Sequence, residues 1–240
     1  MTEPIAVMKR YELKYLLDGP QTAFLLDRLK GRMELDEYGR TSIASLYYDT
    51  PDYRLIRASI EKPSFKEKIR LRSYGLATDW SPVFLELKRK AEGVVYKRRV
   101  QTTAPRAARF FAGEDLGCGQ ISRELNYFRD FYGELRPACL IIYDREAYFE
   151  PDGGLRLTID YNPRCRVDRL SLTHSMAGMP LRPAGNTILE IKVQDAMPLW
   201  LTRVLDEGRI RKGSFSKYGE AYARYILNAA PAGRPARFAA

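Results

Sequence analysis

KEKIRLRSYG, residues 66–75, decides the fold. Successive side chains of an extended strand point to opposite faces, so Lys66, Lys68, Arg70 and Arg72 share one face while Ile69 and Leu71 take the other. The same ionic-against-apolar alternation returns in VFLELKRK, where Glu86, Lys88 and Lys90 oppose Val83, Leu85 and Leu87. In ILEIKV, Glu190 and Lys192 oppose Leu189, Ile191 and Val193. LRLTIDY sets Arg156, Thr158 and Asp160 against Leu155, Leu157, Ile159 and Tyr161, and near the start Glu12 and Lys14 oppose Leu13 and Tyr15. IIYDREAYF alternates less cleanly, with Arg145 in line with Ile141, Tyr143 and Phe149.

An antiparallel sheet with one face on a core and the other in water has this alternation too. Three details favour a different arrangement. The polar rows are almost purely ionic, whereas solvated faces mix Thr, Ser and Gln with charges. A Glu-x-Lys unit recurs at Glu12/Lys14, Glu86/Lys88 and Glu190/Lys192. Helices are also available to cover the oily faces: Gln21–Met33 behind Pro20, a short one after Pro105, Ser122–Leu135, Pro198–Glu207 and Lys217–Leu227. The expectation is an α+β fold: a closed antiparallel barrel turned inside out, charges in its lumen and helices packed on the outside.

The chain has 240 residues, 45% hydrophobic, enough for one large domain over 1–230, with the Pro-rich 231–240 read as a disordered tail. Forty Lys and Arg against 30 acidic residues give a net charge of +10, which calls for a polyanionic partner. Cys118, Cys139 and Cys165 form no CxxC pair and are odd in number, which argues against a zinc site or a disulfide framework and for a reducing compartment. His174 is the only histidine, in a polar loop context, which argues against Ser-His and Cys-His nucleophilic chemistry. The first residues have no apolar stretch of signal-peptide length, and Ala138–Tyr143 is far too short to span a bilayer. A cytoplasmic location is expected, with no membrane segment of its own and any membrane partner a separate chain.

Like charges about 4 Å apart repel by about 4 kcal/mol at an effective dielectric near 20. A lumen crowded with Lys and Arg therefore needs a dense polyanion to turn repulsion into attraction, and the guanidinium forks of Arg70 and Arg72 suit phosphate oxygens. Nucleic acid fits less well, because these faces hold few aromatics and their glutamates repel a nucleic acid backbone; Tyr47, Tyr48 and Tyr74 are the candidates for base stacking, with core packing as the alternative. No GxxxxGK[ST] loop is present, and Gly117-Cys118-Gly119 reads as a turn, so phosphate handling rests on side chains.

RYELKY (10–15), SLYYDTPD (45–52), KIRLRSYG (68–75), FLELKRKAEGVVYKRR (84–99), YDREAYF, LRLTID, ILEIKV and FSKYGEAY (215–222) occur in this order. The set resembles the VTC domain, the polyphosphate polymerase module of the triphosphate tunnel metalloenzyme (CYTH-like) superfamily, from about Lys9 to Leu227. The resemblance implies an eight-stranded tunnel that acts on a triphosphate with Mn²⁺ or Mg²⁺. By motif position Lys14, Arg70, Arg72, Lys88 and Lys217 would be catalytic, and Lys97, Arg145, Arg156, Ser216 and Lys192 would bind substrate. Glu190 would hold the metal. VVYKRR admits a slip that turns Arg98 or Arg99 inward in place of Lys97.

Where many hydrolases of the superfamily carry ExExK, this chain has Arg10-Tyr-Glu12-Leu-Lys14. Fewer carboxylates weaken metal binding and favour phosphate transfer over two-metal hydrolysis. No counterpart of the SPX domain or membrane helices that accompany the fungal polymerase is expected within these 240 residues. The expected activity is transfer of the γ-phosphate of ATP to a growing polyphosphate chain; hydrolysis of tripolyphosphate or a nucleoside triphosphate, and non-catalytic polyphosphate binding, are the alternatives.

Overall fold

A computed structural model of the chain describes residues 11–227 apart from 62, 93, 118, 152, 153 and 195. The expected tail, Cys118 and Arg10 lie outside the described residues. In chain order the elements are β1 (Tyr11–Leu17), α1 (Gly19–Leu29), β2 (Glu34–Leu35), β3 (Thr41–Asp49), α2 (Arg54–Ile60), β4 (Phe65–Tyr74), β5 (Val83–Ala91) and β6 (Val94–Thr102). Then come α3 (Ala104–Phe111), α4 (Gln120–Tyr132), β7 (Arg136–Phe149), β8 (Arg156–Arg166), β9 (Met179–Pro180), β10 (Thr187–Val193), α5 (Leu199–Glu207), β11 (Lys212–Gly213) and α6 (Lys217–Ala221). A π-helical turn, Tyr222–Ile226, continues α6.

All the strands join one antiparallel sheet of 11, with the path β11-β1-β10-β8-β7-β3-β4-β5-β6; β2 pairs with β7 and β9 with β8. The expected closed eight-stranded barrel is corrected on both counts. β11 and β6 end the path without pairing to each other. β11 is only two residues long, because Ser214-Phe215-Ser216 leaves the sheet and turns into α6, so it offers few backbone groups for closure.

The sheet nevertheless curls far. β1 and β5 lie six strand spacings apart along the path, about 29 Å if flat. Yet Lys88 on β5 reaches Glu12 on β1 at 3.5 Å. Lys14 (β1) donates to the Phe215 carbonyl at 3.4 Å, and Lys68 (β4) to the Ser216 hydroxyl at 3.1 Å. Side chains, not ladder hydrogen bonds, bridge the gap.

The alternation seen in the sequence sorts the two faces as expected. Ile69, Leu71, Leu85 and Leu87 turn outward under α3 and α4 with Phe110, Leu125 and Phe128. Tyr15, Leu157, Ile159, Leu189 and Ile191 turn outward under α1 and α5 with Leu25, Leu29 and Leu201. Each such side chain contributes about 1.5–3 kcal/mol by leaving water. α1 begins at Asp18, whose carboxylate accepts from the Gln21 amide while the Gln21 side chain accepts from Asp18, with Pro20 in the first turn. A third core lies on the inner face. There α6 and its π-helical turn press Tyr218, Tyr222 and Ile226 against Tyr47, Cys139, Ile141 and Tyr143. This explains why β7 alternates poorly: Ile141 and Tyr143 point inward like Arg145, but under a helix.

α2 carried no periodic signal. It is held by Asp49, fully buried, which accepts from the Leu55 and Ile56 amides at 2.8 and 3.0 Å and from the Tyr218 hydroxyl at 2.8 Å. The SLYYDTPD segment thus ends in an anchor that ties the inner helix α6 to the start of α2.

Candidate functional site: a cationic trough on the inner face

The inner face gathers cations from seven elements around a few carboxylates. β4 supplies Lys68, Arg70 and Arg72; β5 supplies Lys88, β6 Lys97 and Arg99, β1 Lys14, β7 Arg145, β10 Lys192 and α6 Lys217. Against them stand Glu12, Glu86, Asp160 and Glu190.

Glu86 is the first hub, its side chain only 2% exposed. Arg70 donates to it at 2.8 Å, Arg99 at 2.7 Å, Lys97 lies at 2.8 Å and Arg72 at 3.7 Å. Burial alone would raise its pKa, but Arg70, Arg72 and Lys97 outweigh it and hold the carboxyl far below the usual range. Tyr47 and Tyr143 form the floor: Arg70 donates to the Tyr47 hydroxyl at 2.9 Å and Arg72 to that of Tyr143 at 3.3 Å. A guanidinium so held is preorganised.

The second hub joins Asp160 and Glu190. Asp160, fully buried, accepts two bonds from Arg145 at 2.5 and 2.8 Å and one from Lys217. Glu190 pairs with Lys14 at 3.1 Å and Arg145 at 3.6 Å. Burial opposes ionisation of both carboxyls, yet Lys217 and Arg145 at Asp160, and Lys14, Lys217 and Arg145 at Glu190, hold them below their ordinary values. Lys217 also sits 4.4 Å from the centre of the Tyr143 ring.

Between the hubs, Lys68 has a hydroxyl, that of Ser216, as its hydrogen-bond partner. Burial first, then the Lys14, Lys66 and Lys88 ammoniums, pushes it down to about 8. Lys97 is also pushed down to about 8, by burial against the pull of Glu86. Lys192 falls below its ordinary value for the same leading reason. Burial is the leading cause at all three, and an anion entering among them would restore their charge.

The residues singled out in the sequence therefore converge with one partial exception. Lys14, Arg70, Arg72, Lys88, Lys97, Arg145, Lys192, Ser216, Lys217 and Glu190 face one trough. Arg156 shares the inward parity but is exposed at the end of β8, across from Lys192. The VVYKRR register turns both Lys97 and Arg99 inward, while Arg98 goes outward to Glu124 on α4 at 2.8 Å. Sequence reasoning missed the hub role of Glu86 and the part played by Asp160 in seating Lys217, and it offered Arg99 only as an alternative to Lys97, whereas both face inward. Strand parity placed Glu86 and Asp160 on the right face, but nothing local tells a hub from a spectator. His174 lies on an exposed turn away from the trough, and Cys139 and Cys165 are buried free thiols beside one another, a proximity their spacing does not reveal.

A divalent cation, which the fold implies, can be tested against this donor set. Among the described residues no three His, Cys, Asp or Glu side chains cluster to hold a metal by themselves. Glu12 and Glu190 face the same space from paired strands, close enough for each to oppose the other's ionisation. The Thr158 hydroxyl, directly across from Glu190, is buried without a hydrogen-bond partner. Mg²⁺ is commonly bound by one or two carboxylates with substrate phosphates completing its shell, so these residues fit a cation that arrives with a triphosphate.

A curled antiparallel sheet with a cationic inner face is the architecture of a triphosphate tunnel protein. Two solved structures share the fold. One is an adenylate cyclase candidate from Bacillus halodurans, at 14% identity, TM-score 0.57, covering 90% of this chain and 96% of that one. The other is a candidate adenylyl cyclase from Hippeastrum with a dominant triphosphatase activity, at 19% identity, TM-score 0.51, covering 88% and 93%. Among curated proteins none matches the chain significantly. The family model of the VTC domain matches residues 9–226, and the chain belongs to that family. Among the described residues no helix is long and apolar enough to cross a membrane.

Proposed function

We propose that the protein is a polyphosphate polymerase that moves the γ-phosphate of ATP onto the end of a polyphosphate chain lying in the trough. The observation that carries the proposal is the convergence of Arg70, Arg72, Lys97 and Arg99 on Glu86 across the consecutive strands β4, β5 and β6, and of Lys14, Arg145 and Lys217 on Glu190 and Asp160 from strands and a helix distant in sequence. Arg70, Arg72 and Lys88 grip the triphosphate. Lys14, Lys217 and Ser216 hold the acceptor end, and Lys97, Arg145, Arg156 and Lys192 steer the rest of the phosphate string. Glu190, with Glu12 beside it, would hold Mn²⁺ or Mg²⁺, which supplies charge neutralisation on the phosphate oxygens.

A terminal oxygen of the polyphosphate attacks the γ-phosphorus, the bond from that phosphorus to the β–γ bridging oxygen breaks, and ADP leaves. The nucleophile is already anionic, so no proton has to be removed. That agrees with the carboxylates: Glu12, Glu86, Asp160 and Glu190 are all depressed by neighbouring cations and make poor general bases. Catalysis rests on positioning and on charge neutralisation by residues already in place.

The second reading, hydrolysis of tripolyphosphate or a nucleoside triphosphate, is favoured by the triphosphatase activity of the Hippeastrum neighbour. Incubation of purified protein with ATP and Mn²⁺ separates the readings. Long-chain polyphosphate with ADP supports transfer, free phosphate supports hydrolysis, and an unchanged ATP pool leaves a phosphate binder.

A further inference from the structure

Beyond the two carboxylate hubs, one end of the trough carries a chemistry that phosphate does not need. On β4 the inward row runs Lys68, Arg70, Arg72 and then Tyr74, the last residue of the strand. Phe84 lies directly across from Arg72, and Gln101 directly across from Phe84, so all three point to the inner face. Tyr74 meets Phe84 edge to face at 5.8 Å between ring centres. The Arg99 guanidinium lies 4.3 Å from the centre of the Phe84 ring and donates to the Tyr74 hydroxyl at 3.0 Å.

Tyr47 and Tyr143, also on the inner face, are buried and hold arginines. Tyr48 is buried on the outer face, stacked on Phe111. Tyr74 differs from all three: it is 49% exposed. An exposed ring braced by a second aromatic and an arginine plane, with the exposed amide of Gln101 on the same face, has the composition of a stacking platform with a hydrogen-bonding edge. A ring left open to water at the mouth of a phosphate trough adds nothing to the grip on an inorganic chain.

We infer that Tyr74, Phe84, Arg99 and Gln101 form a nucleobase subsite, and that the nucleotide lies base-outward along β4. Alternate residues of a strand are about 6.8 Å apart. The row Tyr74, Arg72, Arg70, Lys68 thus offers a base, then successive phosphates, and sets the terminal phosphate toward Lys68, Ser216 and Lys14. This rests on the ATP-dependent reading proposed above and adds the residues that hold the base and the polarity of the nucleotide in the trough.

The test compares ATP with tripolyphosphate by calorimetric titration of the full chain and its variants. Tyr74→Ala should weaken ATP binding about tenfold, the size of one base–aromatic stack, and leave tripolyphosphate affinity within twofold of the parent. Tyr74→Phe keeps the ring and should bind both ligands like the parent; Gln101→Ala should weaken ATP alone. Unchanged tripolyphosphate binding also certifies that each variant is folded. If Tyr74→Ala binds ATP as tightly as the parent, or weakens both ligands equally, the subsite is overturned while the phosphate trough stands. If the parent binds neither ligand, the trough and the subsite fall together.

Discussion

Replacing Glu86 by glutamine separates the charge of the first hub from its shape. The side chain is all but buried and meets Arg70, Arg72, Lys97 and Arg99. Removing one partner of a buried ion pair costs about 3–5 kcal/mol. Glutamine keeps one acceptor oxygen, so the lower end, about 3 kcal/mol, is expected. For a chain of this size each kcal/mol moves Tm by about 2–4 °C, giving a fall of roughly 6–12 °C in a thermal melt. The effect on ligand binding has the opposite sign. A carboxylate about 6 Å from a phosphate repels it by about 3 kcal/mol at an effective dielectric near 20, and solvent screening leaves about half, or tenfold in affinity. Glu86→Gln should therefore melt lower when ligand-free, bind tripolyphosphate about tenfold more tightly in calorimetric titration, and gain more Tm from saturating tripolyphosphate than the parent does. A variant with parental Tm and parental affinity would refute the assignment of Glu86 as the buried charge on which Arg70, Arg72, Lys97 and Arg99 converge. The low folded-state pKa of Glu86 means that its stabilisation is present above its unfolded value, about 4.3, and is lost only as pH falls toward the folded one.

Arg70→Ala and Glu190→Ala should each abolish turnover while far-UV circular dichroism stays parental; a variant with parental turnover removes that residue from the site. Lys68 and Lys97 are pushed down to about 8, so both discharge as pH rises from 7 to 9, and tripolyphosphate affinity should fall over that interval; a flat profile contradicts the assignment. The ligand-free fold should respond the other way. Unfolded lysines, near 10.4, hold protons that the folded ones have lost between pH 8 and 10, so these two groups make unfolding free energy rise with pH there, an increment that Lys68→Met with Lys97→Met should remove. Asp49→Asn weakens the tie from Tyr218 to α2, so it should raise KM for ATP more than it lowers kcat, with hydrogen exchange faster in 216–226; unchanged exchange there contradicts the anchoring role.

Strand identity and face were legible in KEKIRLRSYG, VFLELKRK and ILEIKV because period-2 alternation is a local signal, and the rows read as ionic do turn inward, although Glu67 and Arg89, of opposite parity, pair with each other on the outer face beside α4. The ends of the sheet were not legible. Closure depends on how many backbone groups the last strand offers, and β11 is cut to two residues by the turn at Ser214–Ser216. α2 escaped notice because its start is stabilised by a carboxylate six residues upstream of Leu55, on another element, with Tyr53 at φ 59° between them. In the site, parity located Arg70, Arg72, Lys88 and Lys192, but the pairing of Lys217 with Asp160 joins residues 57 apart and only the folded chain brings them together. The helix Lys217–Leu227 was visible as a helix; that it sits inside the sheet rather than outside followed from no property of its own sequence.

The most direct measurement is a calorimetric titration of tripolyphosphate into the parent protein and into Arg70→Ala/Arg72→Ala, at low salt and again at about 0.5 M. One saturable site that weakens with salt and vanishes in the double variant is the predicted result. Absence of saturable binding at low salt, or binding undiminished without the two guanidiniums, would contradict a trough built to hold a string of phosphates.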